Sequence, residues 1–116
     1  MAHIGILLTT APFQYENWET AVNLADAAIA KKHSVSFFLY IDGVYNPLRK
    51  QSHQQYIGYP FERFLKLIRE NVRVVICGTS AALRGLCKED YIDGVIIGGL
   101  PDFALMLSEI DRLVCL

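Results

Sequence analysis

The sequence has no CxxC pair, no glycine-rich phosphate loop and no apolar run long enough to cross a bilayer, and each absence narrows what it does. Its three cysteines, Cys77, Cys87 and Cys115, are odd in number, which argues against a disulfide framework and leaves at least one free thiol. Neither GxGxxG nor a P-loop is present, so a nucleotide or flavin domain lacks its usual phosphate cradle. Spanning a bilayer takes roughly 18 consecutive apolar residues, and no run approaches that. The opening stretch, "MAHIGILLTTAPFQ", lacks the basic start and cleavage pattern of a signal peptide and reads as a first strand, so a cytoplasmic protein is expected. His3, His33 and His53 have no metal-ligand spacing, and no metal site is expected. Net charge is −1, with 11 Lys and Arg mixed among 12 Asp and Glu. That mixture offers no basic patch for nucleic acid and no polybasic segment for a membrane surface. With no repeat, low-complexity tract or linker, residues 1–116 read as a single domain.

What is there is apolar. Hydrophobic residues make up 53% of the chain and the mean hydropathy is +0.27. A chain of 116 residues can bury a real core, yet that balance also predicts a sheet covered on both faces and apolar surface buried by another subunit. Short apolar runs alternate with segments of helical period. His3 to Leu8 is a strand that ends at Thr9-Thr10-Ala11-Pro12. Trp18, Val22, Ala25 and Ile29 mark a helix between Tyr15 and Lys32. Ser34 to Ile41, "SVSFFLYI", is a second strand stopped by Asp42-Gly43. A long polar connection, Asp42 to Gly58, precedes a helix marked by Phe61, Phe64, Leu65 and Ile68 with Pro60 at its start; connections of that length are often functional. Val72 to Ile76 is a third strand, Thr79 to Leu86 a short helix, Val95 to Ile97 a fourth strand. "GLP", Gly99 to Pro101, starts another helix, and Arg112 to Cys115 is a terminal strand. The pattern predicts an α/β three-layer sandwich: a mostly parallel five-stranded sheet with helices on both faces.

In such sheets, reacting groups collect beyond the carboxyl ends of the strands. Cys77 sits at one of those ends, in "VVICGTSAALRGL". Gly78 follows it, then a helix start, with Thr79 or Ser80 as N-cap and Gly85 as the C-terminal stop. Two readings of Cys77 stand. A thiol at a helix start is stabilised as the thiolate, which is the nucleophile. The commoner fate of a free cysteine, however, is to serve as a small buried hydrophobe. Cys87, past the Gly85 stop, is expected to be partly buried, with a resolving thiol as the other reading. Cys115 is expected in the core or an interface. Arg84, about two helical turns from Cys77, is expected to point elsewhere, as a solvated charge or a subunit contact. Tyr45, Tyr56 and Tyr59, in the polar connection, suggest a subunit contact. Strand order is open. With the third strand beside the second, the long connection borders Cys77; a 2-1-3-4-5 order brings Thr9 to Pro12 there instead.

Two stretches carry a resemblance. "FFLYIDGVYNPL" resembles the second-strand segment of the DsrE/TusD-like (DsrE/DsrF-like) sulfur-relay proteins, and "ICGTSAALRGL" resembles their strand–Cys–helix segment, the spacing from Cys77 to Gly85 included. The first strand and helix fit as well, so the resemblance covers nearly the whole chain. It implies a three-layer α/β subunit that assembles into trimers or hexamers, homomeric or mixed. In the cysteine-bearing branch the matched residue, here Cys77 alone, carries a persulfide and passes the sulfur from a donor protein to an acceptor protein, with no cofactor. Related subunits without the cysteine have a structural role. Gly78-Thr79-Ser80 departs from the small apolar residues of the clearest sulfur-transfer members. The resemblance therefore implies a persulfide-carrying sulfurtransferase, with a non-catalytic structural subunit as the alternative and a small-molecule or nucleotide-binding module ranked last.

Overall fold

Each apolar run becomes a strand, and the computed structural model, which describes residues 1–51 and 60–116, pairs all five strands in parallel. The order in the chain is β1 (His3–Leu8), α1 (Asn17–Ala30), β2 (Ser34–Leu39), a 3-10 turn (Ile41–Tyr45), α2 (Phe61–Arg69), β3 (Arg73–Cys77), α3 (Gly78–Leu83), a second 3-10 turn (Lys88–Asp90), β4 (Ile96–Gly98), α4 (Leu100–Glu109) and β5 (Arg112–Cys115). In the sheet the order is β4-β3-β2-β1-β5. The third strand thus lies beside the second, with Ser36 opposite Arg73 and Leu39 opposite Ile76.

The layers follow from the direction of travel. From β1 to β4 the chain steps one way across the sheet, then α4 carries it back past β1 to β5. Right-handed crossovers put helices on opposite faces when that direction reverses. Trp18, Ala21 and Val22 of α1 and Phe64 and Leu67 of α2 accordingly join Ile6, Leu8, Phe37, Leu39, Val74 and Ile76 in one buried cluster. Met106 of α4 joins Phe38, Val75 and Cys77 in a second cluster on the other face. The alternation along β2 and β3 is the period-2 consequence of the pleat. Alanines at 21, 25 and 28, all buried, let α1 lie close to the sheet. The Trp18 ring meets Phe64 at 4.7 Å between centroids, a tilted pair worth roughly 0.5–1.5 kcal/mol beyond its buried area.

The α4 face is the less completely covered one. Leu100, Leu105 and Leu107 of α4, Ile96 on the β4 edge and Leu113 on the β5 edge are all exposed. Cys115 is exposed too, so it does not belong to the core of this chain. Its partner in the ladder is Leu7, and among the described residues β5 has no further strand beyond it.

Local signals set the ends of the elements. Gly85 takes φ +75°; its N–H donates to the Ala82 carbonyl and the Leu86 N–H to the Ala81 carbonyl, the paired bonds of a left-handed helix stop. The second strand ends two residues earlier than its composition predicts, because Ile41 turns to φ +55°. Gly43 explains the tight turn that follows. A Cβ there would run into the carbonyl of Leu8, so only glycine lets the turn rest on the end of β1. The two described histidines, His3 and His33, serve structure. His3 Nε2 hydrogen-bonds Ser36 Oγ at 2.7 Å, and His33 Nδ1 accepts the Ala2 N–H at 2.9 Å. His53, Tyr56 and Tyr59 lie outside the described residues.

Candidate functional site

Cys77 is the last residue of β3 and caps α3 with its own side chain, a role the sequence assigned to Thr79 or Ser80. The Ser80 N–H donates to Cys77 Sγ at 3.5 Å. Such a bond to sulfur strengthens when the acceptor carries charge. The sulfur points to the α4 face, against Phe38, Val75 and Met106. Only 3% of the residue is exposed. It nevertheless lines an open cleft of about 550 Å³ beyond the carboxyl ends of β2, β3 and β4, whose walls include Ile41, Leu83, Arg84, Leu100 and Pro101. The walls are apolar and partly wet, with Leu83 79% and Leu100 53% exposed.

Arg84 is the residue that sequence reasoning placed elsewhere. Its Nε donates to Asp42 Oδ1 at 2.9 Å and its Nη1 to the Ser80 carbonyl at 3.0 Å. Seven residues at about 100° each return to within about 20° of the starting azimuth, so two helical turns carry Arg84 back toward the face of Cys77 rather than away from it. Arg84 is thus one of the residues that line the cleft with Cys77.

Ser80 ties three elements together. Besides its amide on Cys77 Sγ and its carbonyl under Arg84, its hydroxyl accepts the Ile41 N–H at 3.2 Å. Ile41 needs such holding. A β-branched residue in the left-handed region costs about 1–2 kcal/mol, and persists only where its surroundings over-determine it. Two further contacts hold the same turn from below. The buried Asn46 amide donates to the carbonyls of Thr10 and Gly43, each at 2.8 Å. Tyr91 O–H donates to the Val44 carbonyl at 2.9 Å, and burial pushes the Tyr91 phenol up to about 12. The connection after β2 therefore does border Cys77, through Ile41–Tyr45; its part at 52–59 is outside the described residues.

The cleft is not arranged for an anion. Among the described residues its one cationic wall residue, Arg84, is already paired with Asp42. At the start of α4 the Asp102 carboxylate accepts the Gly99 N–H at 2.8 Å, occupying the end where a phosphate would sit. Among the described residues, no group of three or more His, Cys, Asp or Glu is placed to hold a metal ion. Cys87 is exposed, against the partial burial expected of it. Its thiol donates to Asp90 Oδ2 at 3.3 Å, and its N–H donates to the same oxygen at 2.8 Å. Hydrogen bonds to Glu89 and then Asp90 raise the Cys87 thiol above its ordinary range. Two of the three thiols are thus in opposite settings, Cys77 under a cleft and Cys87 on carboxylates.

A parallel α/β domain with a cysteine under a strand-end cleft is the class of protein these features define. The DsrE/DsrF-like family profile matches residues 2–116, and the chain belongs to that family. It is 30% identical over 117 residues to protein YchN of Escherichia coli, covering 98% of each chain. It is 29% identical over 111 residues to an uncharacterised protein of Methanopyrus kandleri, covering 96% of this chain and 91% of that one. The crystal structure of E. coli YchN superposes with a TM-score of 0.90 at 28% identity over the full length of both chains. A protein of unknown function from Methanobacterium thermoautotrophicum superposes with a TM-score of 0.79 at 13% identity, a likeness of fold. Among the described residues no helix is long and apolar enough to cross a membrane.

Proposed function

We propose that this protein is a sulfur-relay sulfurtransferase that carries a persulfide on Cys77. The observation that carries the reading is the position of the Cys77 thiol, at the carboxyl end of β3 and lining an apolar cleft, in a chain of the DsrE/DsrF-like family. Cys77 thiolate attacks the terminal sulfur of a donor protein's persulfide. The new S–S bond forms as the donor's S–S bond breaks, leaving Cys77–S–SH and a donor thiolate. An acceptor protein's thiolate then attacks that terminal sulfur and releases the Cys77 thiolate. Both steps are exchanges at sulfur, with no net oxidation and no cofactor.

The working form is a single-domain subunit, residues 1–116, in a cytoplasmic trimer or hexamer, homomeric or mixed. The exposed leucines of α4 and the exposed Ile96 and Leu113 at the sheet edges support assembly, since such apolar surface on one side marks an interface. Leu105→Glu is expected to shift the assembly to smaller species in size-exclusion chromatography with light scattering. An unchanged mass would remove α4 from the interface.

The 3% exposure of Cys77 favours a second reading, a non-catalytic subunit in which Cys77 fills the core. Intact mass after treatment with a persulfide-generating donor separates the two. The carrier gains sulfur that reductant removes, and Cys77→Ala does not. If no sulfur is gained under conditions that load a control carrier, the structural reading replaces the first.

A further inference from the structure

One backbone strain and one chain of hydrogen bonds are not used by the chemistry above, and they meet beside the sulfur. Ile41 is held at φ +55°, and the residue, 43% exposed, lines the Cys77 cleft. Nothing in its own side chain favours that conformation, since glycine and asparagine are the residues that adopt it readily. Two ties flank it. On one side the Ile41 N–H donates to Ser80 Oγ at 3.2 Å; on the other Asp42 accepts Arg84 Nε at 2.9 Å, while Arg84 Nη1 donates to the Ser80 carbonyl at 3.0 Å. The same Ser80 amide rests on Cys77 Sγ. Sulfur, helix start and turn are therefore held as one unit, and Ile41 brings a branched aliphatic side chain to the cleft that Cys77 lines.

We propose that Ile41 sets the size of the group that reaches Cys77, and that Ser80 and Arg84 are positioning residues that hold it there. The turn is a filter: a slim thiol or persulfide passes the Ile41 side chain to the 3%-exposed sulfur, and a branched or ring-bearing one does not. This rests on the reading of Cys77 as a sulfur that partners must reach, but it is measured without sulfur transfer.

The experiment uses the full chain with Cys87 and Cys115 replaced by serine, so that Cys77 is the one thiol. Its alkylation rate is measured with iodoacetamide and with a bulky N-aryl maleimide, each relative to the same reagent on a free cysteine peptide. The readout is the ratio of the two relative rates. Opening of the whole fold exposes the thiol to both reagents alike and by itself draws the ratio toward one, so the opening equilibrium of each variant is taken from urea denaturation and its contribution subtracted from both rates; circular dichroism under the labelling conditions monitors the fold. Ile41→Gly suits the left-handed backbone and removes the side chain, so it is expected to keep the fold and lower the small-to-bulky preference about tenfold, equivalent to about 1.4 kcal/mol. Arg84→Met and Ser80→Ala are expected to lower it in the same direction, and Arg84→Lys, which keeps the charge, to recover part of it. If Ser80→Ala does not fold, Arg84→Met carries that comparison. An unchanged preference in Ile41→Gly overturns the filter, as does a Cys77 that neither reagent reaches in that variant. A preference lost in Ile41→Gly but intact in Arg84→Met overturns the positioning role. Sulfur loading of the same variants is scored separately: loading with an unchanged preference removes the filter and leaves the carrier, and a changed preference without loading does the reverse.

Discussion

Arg84 Nε donates to Asp42 Oδ1 at 2.9 Å, joining the end of α3 to the turn that leaves β2 across 42 residues of sequence. The Arg84 side chain is 22% exposed and that of Asp42 53%, so water and salt screen the pair. In urea denaturation, a double-mutant cycle of Arg84→Met and Asp42→Asn is expected to give a coupling of about 0.5–1 kcal/mol at low salt. Raising the salt toward about 1 M shortens the screening length to about 3 Å and is expected to erase most of it. Arg84→Met alone should cost more than that coupling, because the Ser80 carbonyl also loses its partner. Coupling that salt leaves untouched would contradict the exposed character of the pair.

Gly43 tests how firmly the turn rests on β1. Its missing Cβ is what allows contact with the Leu8 carbonyl, the carbonyl carbon lying 2.9 Å from where the Cβ would stand. Gly43→Ala forces backbone to move against backbone and is expected to destabilise the fold by about 1–3 kcal/mol, read as a lower urea midpoint with an unchanged slope. A midpoint like that of wild type would mean that the turn has slack.

Cys87 provides a pH test. Hydrogen bonds to Glu89 and Asp90 raise its thiol, so at any pH below its ionisation a smaller fraction is thiolate than in a free cysteine. Despite its exposure, Cys87 is therefore expected to alkylate more slowly than a free cysteine peptide at pH 8. Its rate should still be climbing at pH values where the peptide's has levelled. Asp90→Asn is expected to speed it at neutral pH and move the profile downward. Mapping labelled peptides by mass spectrometry across a pH series checks this, and a Cys87 profile that overlays the free peptide would refute it.

Tyr91 links stability to high pH. Its phenol is raised to about 12 from 10.0, so the neutral form is the one the fold favours. The stability this contributes is fully present below about pH 10 and is lost as pH rises from there through about 12. Tyr91→Phe leaves the Val44 carbonyl without its donor and is expected to cost about 1–3 kcal/mol at neutral pH. It should also flatten the stability decline between pH 10 and 12, which urea denaturation at several pH values measures. An equally steep decline in Tyr91→Phe would assign it to other groups.

Most of the elements were legible in the sequence. The apolar runs 3–8 and 112–115 became strands with those same ends, and Gly85 stopped α3 as its conformation requires. These are local matters: a run's hydrophobic period, a missing Cβ and a helix stop act within a few residues. The candidate site was legible only at its centre. Cys77 at the end of an apolar run signalled a strand-end thiol, but its cap was misread because a cysteine side chain took the role that Thr79 or Ser80 ordinarily fills. Ile41 gave no signal at all, since a β-branched residue at the end of "SVSFFLYI" reads as more strand.

By itself, then, the sequence determined a parallel α/β chain with a thiol where one of its strands ends, because strand and helix periods are written residue by residue. The tertiary structure decided what surrounds that thiol. Placing β3 beside β2 brought the turn at 41–45 to Cys77, and the return of α4 to the far edge left one face partly bare. It also turned Arg84 into the link between α3 and Asp42. Those outcomes depend on contacts between segments dozens of residues apart, which no local period encodes.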